Sequence, residues 1–326
     1  MDESLFSARP FSDSDYESWV AVGRAVRPDD PVSAETLRYR EESLGSDFER
    51  RRYVVEFRTT GQVIAVGRVG ESPFNAERGK LWEFILVHPD FQGRGIGSWL
   101  HERLAAEAEG LRATALRAMA SEPETVGRAF LQHRGFEERR RTWQSILDLG
   151  VVDTRRLPEL RRTLSSAGIE ITTLAQEGVH DPEVIQKLYD LDRETAPDVP
   201  RMDSYTPWTL DQYERLELGG PRQLPEAWFI AKGHGRYVGM SVGKQEAAFP
   251  DTLHQSYTCT LREYRRRGIA LALKLSVIEY ARRHDYRQIE TENDSMNAPM
   301  WTMNQRLGFQ RRTVWIQLER LLRSPS

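Results

Sequence analysis

The sequence contains one segment twice, and this repeat constrains the fold more than any other feature of the chain. One glycine-centred segment surrounds Gly95 and a second surrounds Gly268. Each leads to a Gly-Phe pair, at Gly135 and at Gly308, which begins 40 residues after the central glycine in both cases. A repeat with a constant offset of 173 residues indicates two copies of one structural unit.

The same order of elements surrounds the glycine in both copies. Two β-branched stretches around a turn predict a hairpin before it, and apolar residues at helical spacing predict a helix after it. The predicted hairpin strands are residues 53–57 and 63–69 in the first copy and 228–231 and 237–242 in the second. The predicted helices are residues 97–108 and 270–281. Hairpin, strand, glycine turn and amphipathic helix therefore recur in order.

Length and composition fit two folded domains. At roughly 150 residues per domain, 326 residues predict two. A hydrophobic content of 39% is enough for packed cores, and the low net charge is atypical of a disordered chain. The stretch 151–167 is polar, interrupted by proline and followed by glycine, so we expect a linker there. The predicted domains are residues 1–150 and 168–326.

Charge and cysteine content disfavour several classes of protein. The 46 basic and 49 acidic residues nearly balance, which argues against a nucleic-acid partner bound by bulk electrostatics. No apolar run approaches the roughly 18 residues of a membrane span, so we expect a cytoplasmic protein with no membrane partner. The single cysteine, Cys259, cannot supply a multi-cysteine metal site, and we predict no metal. The oligomeric state is left open.

Both glycine segments place a helix start directly after a strand. The first backbone N–H groups of such a helix are unpaired, and its dipole favours an anion there. Glycine allows a phosphate to approach the main chain closely. A Walker loop would need Gly-Lys-Ser/Thr, and a dinucleotide fingerprint would need glycine where Ser98 stands. The segments therefore predict anion sites of another class.

The two segments resemble the signature of the GNAT superfamily of acyl-CoA-dependent N-acetyltransferases, Gln/Arg-x-x-Gly-x-Gly/Ala. The matching residues are Gln92, Gly95 and Gly97 in the first copy and Arg265, Gly268 and Ala270 in the second. The resemblance covers nearly the whole chain as a tandem pair, similar to mycothiol synthase-like double acetyltransferases. It implies an α/β fold of two GNAT-like domains, each with a mixed, mostly antiparallel sheet flanked by helices.

By this resemblance, each copy would bind acetyl-CoA as a co-substrate. Turn amides would hold the pyrophosphate, and the preceding strand would pair with the pantetheine arm. The residues implied in the first copy are Ile85, Leu86, Val87, Gln92, Gly93, Arg94, Gly95, Ile96 and Gly97. Those implied in the second are Thr258, Cys259, Thr260, Arg265, Arg266, Arg267, Gly268, Ile269, Ala270 and Asn297.

The two copies differ at the position of Asn297. This residue resembles a family asparagine that contacts pantetheine just before a helix, and it is also a typical N-cap before Pro299, so both roles are compatible. The first copy carries Glu124 at the equivalent position. We therefore expect the second domain to catalyse, and the first to be a degenerate copy with an intact phosphate turn. Whether one or both domains bind the coenzyme is left open.

Candidate catalytic groups follow from the same comparison. Many family members carry a tyrosine acid four residues before the glycine of Gly-Phe, where this chain has Leu131 and Asn304. Asn304 can hydrogen-bond to the sulfur but is not a useful proton donor. For the base, His254 is preferred, acting through a water, although it is also typical of an exposed strand end. Glu83 is either a functional carboxylate or a paired structural one.

Three further acidic or nucleophilic side chains have two interpretations each. An acyl intermediate on Cys259 is conceivable, but alternation along its strand points the thiol to the opposite face, where a lone cysteine is usually core. Asp198 and Asp203 lie in a proline-rich segment that would cover the acceptor site. They either bind an amine cation or serve as turn and cap residues.

The sequence thus predicts an N-acetyltransferase. It would move an acetyl group from acetyl-CoA to the primary amine of a small molecule by direct attack in a ternary complex. The missing tyrosine in both copies leaves open a non-catalytic acyl-CoA-binding or interaction protein. Transfer of an aminoacyl or longer acyl group also stays open, and no motif identifies the acceptor.

Overall fold

The computed structural model describes residues 1–28, 32–74, 77 and 79–322. The strands are β1 Phe6–Pro10, β2 Arg50–Phe57, β3 Gln62–Gly70, β4 Lys80–Val87, β5 Ala115–Ser121, β6 Glu137–Asp148, β7 Ile169–Thr173, β8 Gln223–Gly233, β9 Arg236–Gln245, β10 Thr252–Thr260, β11 Gln288–Asp294 and β12 Gln310–Leu321. The helices are α1 Tyr16–Val26, α2 Ala34–Ser43, α3 Ile96–Gly110, α4 Thr125–Gln132, α5 Leu157–Ser166, α6 Leu174–Glu177, α7 Pro182–Thr195, α8 Leu210–Tyr213, α9 Ile269–Arg283 and α10 Ala298–Leu307. The predicted hairpins and post-turn helices are confirmed.

The chain forms two compact units, unit 1 and unit 2. Unit 1 comprises Met1–Arg140, Arg201–Thr206 and the segment that starts at Trp315, and unit 2 comprises the remainder. In unit 1 the strand order is β1-β2-β3-β4-β5, and then the part of β12 from Trp315 on. Neighbouring strands are antiparallel except for the parallel pair β4 and β5.

Unit 2 repeats this arrangement. Its strand order is β7-β8-β9-β10-β11, and then the part of β6 from Arg141 on. Again one pair, β10 and β11, is parallel and the other pairs are antiparallel. The predicted fold class, a mixed and mostly antiparallel sheet with helices in each of two copies, is therefore confirmed.

The last strand of each sequence half pairs within the other unit. Residues of β12 pair with β5 of unit 1, and residues of β6 pair with β11 of unit 2. The compact units therefore differ from the predicted division at residues 150 and 168. Backbone hydrogen bonds join both strands to their sheets, and every residue except proline can supply them, so a local sequence pattern does not identify the partner strand.

The predicted linker, residues 151–167, contains a packed helix instead. Leu157 and Leu164 of α5 are 1% and 2% exposed and belong to the core of unit 2. Pro158 lies in the first helical turn, where a missing N–H costs nothing, so it starts this helix rather than interrupting it.

Among the described residues, no helix is both long and apolar enough to cross a bilayer.

Glycines in the hairpins let the post-turn helices pack closely on each sheet. A Cβ built on Gly67 of β3 would lie 3.0 Å from Leu100 of α3. A Cβ on Gly239 of β9 would lie 2.9 Å from the backbone oxygen of Cys259 and 3.3 Å from Leu273 of α9. Leu100 and Leu273 are equivalent in the repeat. Both copies therefore use the same close approach to seat the helix that follows the glycine turn.

Gly239→Ala should lower the free energy of unfolding by about 1–3 kcal/mol, because the added methyl overlaps backbone that cannot move aside. Urea denaturation measures the change. Gly110→Ala is the matched control, since a Cβ there meets no atom within 4 Å. Equal stability of the two variants would contradict this packing argument.

Candidate functional site

The two glycine turns have the same backbone geometry. Gly95 has φ 77° and ψ 0° as the N-cap of α3, and Gly268 has φ 84° and ψ 0° as the N-cap of α9. Three residues earlier, Gln92 and Arg265 have φ −65° and −66°, both with ψ 161°. Sequence similarity between the turns thus extends to their dihedral angles, and each helix begins on a left-handed residue that glycine adopts without strain.

The helix starts present unpaired amides. Within the described part of the chain, the backbone N–H groups of residues 93–98 and 266–271 donate no hydrogen bond to another protein group. Residues 93–95 and 265–267 are exposed, while Ile96 and Ile269 anchor the turns with 1% exposure each. This arrangement provides donors and a positive dipole end for an anion.

A groove of about 730 Å³ lies beside the turn of unit 1. It is lined by the end of β4, the turn, and residues of β5 and α4. The sequence-predicted residues that line it are Glu83, Ile85, Leu86, Val87, Gln92, Gly93, Gly95, Ile96 and Gly97. One surface of unit 1 thus gathers nearly all of its predicted coenzyme residues and one predicted catalytic residue.

A second groove, of about 490 Å³, lies beside the turn of unit 2. The sequence-predicted residues that line it are Thr258, Cys259, Thr260, Arg265, Arg266, Gly268, Ile269, Ala270 and Asn297. Neither His254 nor Asn304 lines this groove. The expected coenzyme residues of unit 2 therefore come together without the catalytic residues predicted for the same half.

The predicted coenzyme contacts of Arg94 and Arg267 are not supported by the structure. The guanidinium of Arg94 donates to the carbonyl of Asp90 at 3.2 Å, and that of Arg267 donates to the carbonyl of Glu263 at 2.9 Å. Neither arginine lines its groove. A preceding aromatic ring stacks on each guanidinium, so both side chains fold back on their own turn.

The first residue of each turn motif supports the turn. Gln92 donates to the carbonyl of Val87 at 3.0 Å, and Arg265 donates to the equivalent carbonyl of Thr260 at 3.3 Å. Arg265 also binds Asp198, which pairs with Arg262 as well. Hydrogen bonds from Arg262 and then Arg265 lower the pKa of Asp198 to about 2. Asp198 is thus occupied by two arginines of its own unit and is not an open amine site.

Arg266 has φ 61°, in the left-handed region where unit 1 has Gly93 with φ 73°. A side chain is strained in this conformation. Arg266→Gly should therefore raise the free energy of unfolding by up to about 1 kcal/mol. Urea denaturation tests this against Arg267→Gly, whose φ is not positive. If Arg266→Gly is no more stable than Arg267→Gly, the backbone of Arg266 is not strained.

Glu83 is held by a buried chain of side chains in unit 1. Its two carboxylate oxygens lie 2.8 and 3.0 Å from Nδ1 of His101, and Nη1 of Arg320 lies 3.3 Å from Nε2 of the same ring. A guanidinium only donates, so Nε2 accepts and the ring hydrogen is on Nδ1, which donates to Glu83. This arrangement presents Glu83 to the groove as an oriented hydrogen-bond acceptor.

His254 and Asn304 lie away from the grooves. His254 is half-buried on β10, with Nδ1 3.6 Å from Oε1 of Glu290. Asn304 is fully buried, and its Nδ2 donates to Oδ1 of Asn293 at 3.1 Å. The structure gives both side chains a partner within unit 2 in place of the substrate contact that the sequence predicted.

Asn297 caps α10 and lines the groove at once. Its Oδ1 accepts from the backbone N–H of Met300 at 3.3 Å. At the equivalent position of unit 1, Glu124 accepts from Arg27 at 3.0 Å and from the N–H of Ser121 at 2.7 Å. Burial alone would raise the pKa of Glu124, but the contacts with Arg27 outweigh it, and the net pKa is lowered.

The thiol of Cys259 belongs to the core. The residue is 9% exposed, and burial raises the pKa of the thiol to about 11. A thiol with that pKa is almost wholly protonated at neutral pH and is a poor nucleophile. The interpretation of Cys259 as a core residue therefore agrees with its surroundings.

Asp203 lies in unit 1 rather than over an acceptor site of the second half. It is buried between Arg117 and Lys80. Burial by itself would raise its pKa, but the hydrogen bonds from Arg117 outweigh this and hold the pKa well below the usual range. Neither the amine-binding nor the turn interpretation of Asp203 describes this buried ion pair.

Sequence reasoning missed two buried basic side chains. His101 and Lys274 lie six residues after the helix-opening glycines and are 4% and 1% exposed. A basic residue at the same position of two otherwise apolar helix faces is the signal that would have found them. His101 reaches the groove through Glu83, and Lys274 contacts Gln255 of β10.

Comparisons with known proteins agree with this geometry. The model of the acetyltransferase (GNAT) family matches residues 17–136 and 185–309, more than half of the chain and one match per half. No curated protein sequence gives a significant match.

Solved structures share the whole fold at low sequence identity. A GCN5-related N-acetyltransferase from Sphaerobacter thermophilus is 21% identical, with a TM-score of 0.71 over 98% of this chain and 97% of that one. A tandem GNAT protein from the clavulanic acid biosynthesis pathway is 20% identical, with a TM-score of 0.74 over 98% and 100%. N-myristoyltransferase from Saccharomyces cerevisiae is 11% identical, with a TM-score of 0.61 over 97% and 78%. These similarities establish the tandem arrangement of the fold.

Proposed function

Because the chain belongs to the acetyltransferase (GNAT) family, we propose that it transfers an acetyl group from acetyl-CoA to the primary amine of a small molecule, by direct attack in a ternary complex. The observation that carries this proposal is the pair of identical turns whose unpaired amides open beside grooves. These amides suit the diphosphate of coenzyme A. Residues 85–87 and 258–260 line the grooves and pair with β3 and β9, whereas β5 and β11 pair only with residues 80–82 and 252–254. The second edge of each strand therefore suits the pantetheine arm.

We place the chemistry in the groove of unit 1. The reaction forms a bond between the amine nitrogen and the thioester carbonyl carbon, breaks the carbon–sulfur bond and transfers the amine proton to a base. Glu83 lines this groove as an oriented acceptor, and its equivalent in unit 2 is Ser256, which lacks a carboxylate. The structure thus favours the half that the sequence had marked as degenerate, and Glu83 replaces His254 as the preferred base.

A non-catalytic acyl-CoA-binding protein is the second candidate. The position of the family's tyrosine acid holds Leu131 in unit 1 and Asn304 in unit 2, with 8% and 0% exposure. Neither side chain can protonate a departing thiolate. In the acetyltransferase proposal, the departing thiolate therefore takes its proton from water, and the proton that Glu83 removed from the amine returns to water.

Calorimetric titration of the full chain with acetyl-CoA, followed by thiol release with a panel of small primary amines, separates the two candidates. We expect binding and amine-dependent release of coenzyme A thiol, with the acetylated amine identified by mass. Absence of binding would remove both candidates. Binding without release on any amine, also with longer acyl-CoA donors, would favour the non-catalytic one. The full chain is needed because strands of each half complete the other unit.

A further inference from the structure

A buried polar chain connects Lys274 to the groove of unit 2. The Nζ atom of Lys274 donates to Oε1 of Gln255, and Nε2 of Gln255 donates to Oγ of Ser241 at 3.1 Å. Oγ of Ser241 lies 2.8 Å from Oγ1 of Thr258, which lines the groove. Lys274, Gln255 and Ser241 are each no more than 1% exposed. Of these four hydrogen-bonded side chains, only that of Thr258 lines the groove.

Lys274 fixes the donor-to-acceptor direction of these hydrogen bonds. An ammonium group offers only hydrogens, so the amide oxygen of Gln255 must face it, and the NH₂ group of Gln255 then faces Ser241. Ser241 accepts that hydrogen. Among the described residues, Thr258 is the one side-chain acceptor within reach of the Ser241 hydrogen, so we infer that Ser241 donates to Thr258. Because Thr258 accepts from Ser241, its remaining hydrogen is free to point into the groove. A threonine hydroxyl of variable orientation thereby becomes a hydrogen-bond donor to the groove.

The position of Lys274 is energetically costly. Among the described residues no carboxylate forms an ion pair with Lys274, and its Nζ also lies 5.4 Å from the ring centroid of Phe309. Burial lowers the pKa of Lys274 to about 7. An apolar side chain would fill this core site at lower cost. This cost, and the connection to a groove residue, point to a role beyond packing.

We propose that Thr258 donates a hydrogen bond to a carbonyl oxygen of the acyl-pantetheine arm, and that Lys274 acts as the positioning residue that aims this hydrogen. The inference rests on the proposed function, because it takes acyl-CoA as the ligand of unit 2. The oxygen belongs either to the thioester or to a pantetheine amide, and both are acceptors of the same kind. At the equivalent position unit 1 has Ile85, so this donor is specific to unit 2.

The first test measures acetyl-CoA and CoA affinities by calorimetry at pH 6, where Lys274 is charged. Gly97→Asp serves as the background, since it disables the turn of unit 1. Thr258→Val should weaken acetyl-CoA binding about 5- to 10-fold, while Thr258→Ser keeps the hydroxyl and the affinity. An effect on acetyl-CoA alone identifies the thioester oxygen, and an equal effect on CoA identifies a pantetheine amide.

Two results would overturn the donor role of Thr258. One is an unchanged affinity of Thr258→Val for both ligands. The other is a Thr258→Ser variant as weak as Thr258→Val, which would mean that packing and not the hydroxyl matters. No binding of acetyl-CoA by the background protein, with the turn of unit 2 intact, would reject the proposed coenzyme site of unit 2 together with this inference. The two failures are thus distinguishable.

The second test reverses the direction of the hydrogen bonds between Gln255, Ser241 and Thr258. Gln255→Glu is isosteric and pairs with Lys274, but its carboxylate can only accept from Ser241. Ser241 then accepts from Thr258, whose hydrogen turns away from the groove. We expect Gln255→Glu to weaken acetyl-CoA binding as much as Thr258→Val, with no further loss in the double variant. Full acetyl-CoA affinity of Gln255→Glu, or additive losses in the double variant, would overturn the positioning role of Lys274. Lys274→Met, alone and combined with Thr258→Val, provides the same double-mutant cycle without an added charge.

Discussion

Gly97→Asp and Ala270→Asp should each abolish acetyl-CoA binding at one unit, with an affinity loss of about 100-fold at the changed turn. Both positions lie in the first turn of their helix, where a carboxylate satisfies the exposed amides and repels a diphosphate. The same carboxylate stabilises a helix start, so the fold should be retained. Calorimetric titration should show the stoichiometry falling from two to one in each variant.

Gly97→Ala is the matched control for this experiment. A Cβ at Gly97 would lie 3.5 Å from Phe130, which is ordinary contact, and unit 2 already carries alanine at the equivalent position. We expect Gly97→Ala to bind acetyl-CoA nearly as well as the parent protein. Retained affinity of both Asp variants would show that the turns do not bind the diphosphate, and the coenzyme proposal would fall.

Glu83→Gln should lower kcat of amine acetylation by about 100- to 1000-fold, because it removes the base that takes the amine proton. Glutamine still accepts the hydrogen on Nδ1 of His101, so the local geometry is preserved. Acetyl-CoA affinity should be unchanged, since the turn is untouched. Steady-state kinetics and calorimetry on the same variant separate the two effects.

His254→Ala provides the comparison that decides between the units. The structure places this side chain outside the groove of unit 2, beside Glu290. A loss of turnover in His254→Ala, together with full turnover in Glu83→Gln, would contradict the assignment and return the chemistry to unit 2. A loss in Glu83→Gln alone would establish unit 1 as the reacting unit.

The glycine turns could be predicted closely from the sequence. Their conformation depends on residues adjacent in the chain, and glycine at 95 and 268 is what a left-handed helix cap favours. The hairpins and helices that flank them follow from hydrophobic periodicity for the same reason. The residues of these segments that were predicted to bind the coenzyme line two grooves, apart from two arginines.

Arg94 and Arg267 lie outside the grooves, which local reasoning did not predict. Both stand beside a predicted phosphate site, and charge alone favours an anion as their partner. In the fold, an aromatic ring three residues earlier and a carbonyl four residues earlier capture each guanidinium. A long side chain has several partners in reach, and only the three-dimensional arrangement selects one.

The proposed base differs from the one preferred from the sequence for a related reason. Strand periodicity placed both Glu83 and His254 on the strand before a turn, and the residue types alone made His254 the preferred base. The choice depends on which side chain lines a groove and which has an orienting partner. His101 orients Glu83 from α3 and Arg320 fixes His101 from β12, and these contacts span up to 219 residues of sequence. No local pattern encodes them.

The sequence by itself determined the duplication, the elements of each copy and the two glycine turns, because backbone conformation and burial patterns are set by neighbouring residues. Tertiary structure alone decided that β6 and β12 complete the opposite sheets and that α5 is core rather than linker. It also decided that Glu83 lines a groove while His254 pairs with Glu290 outside one. Strand pairing and side-chain partnership depend on contacts between distant residues. Their outcome is chosen by the packing of the whole unit, among alternatives that a local pattern leaves equal.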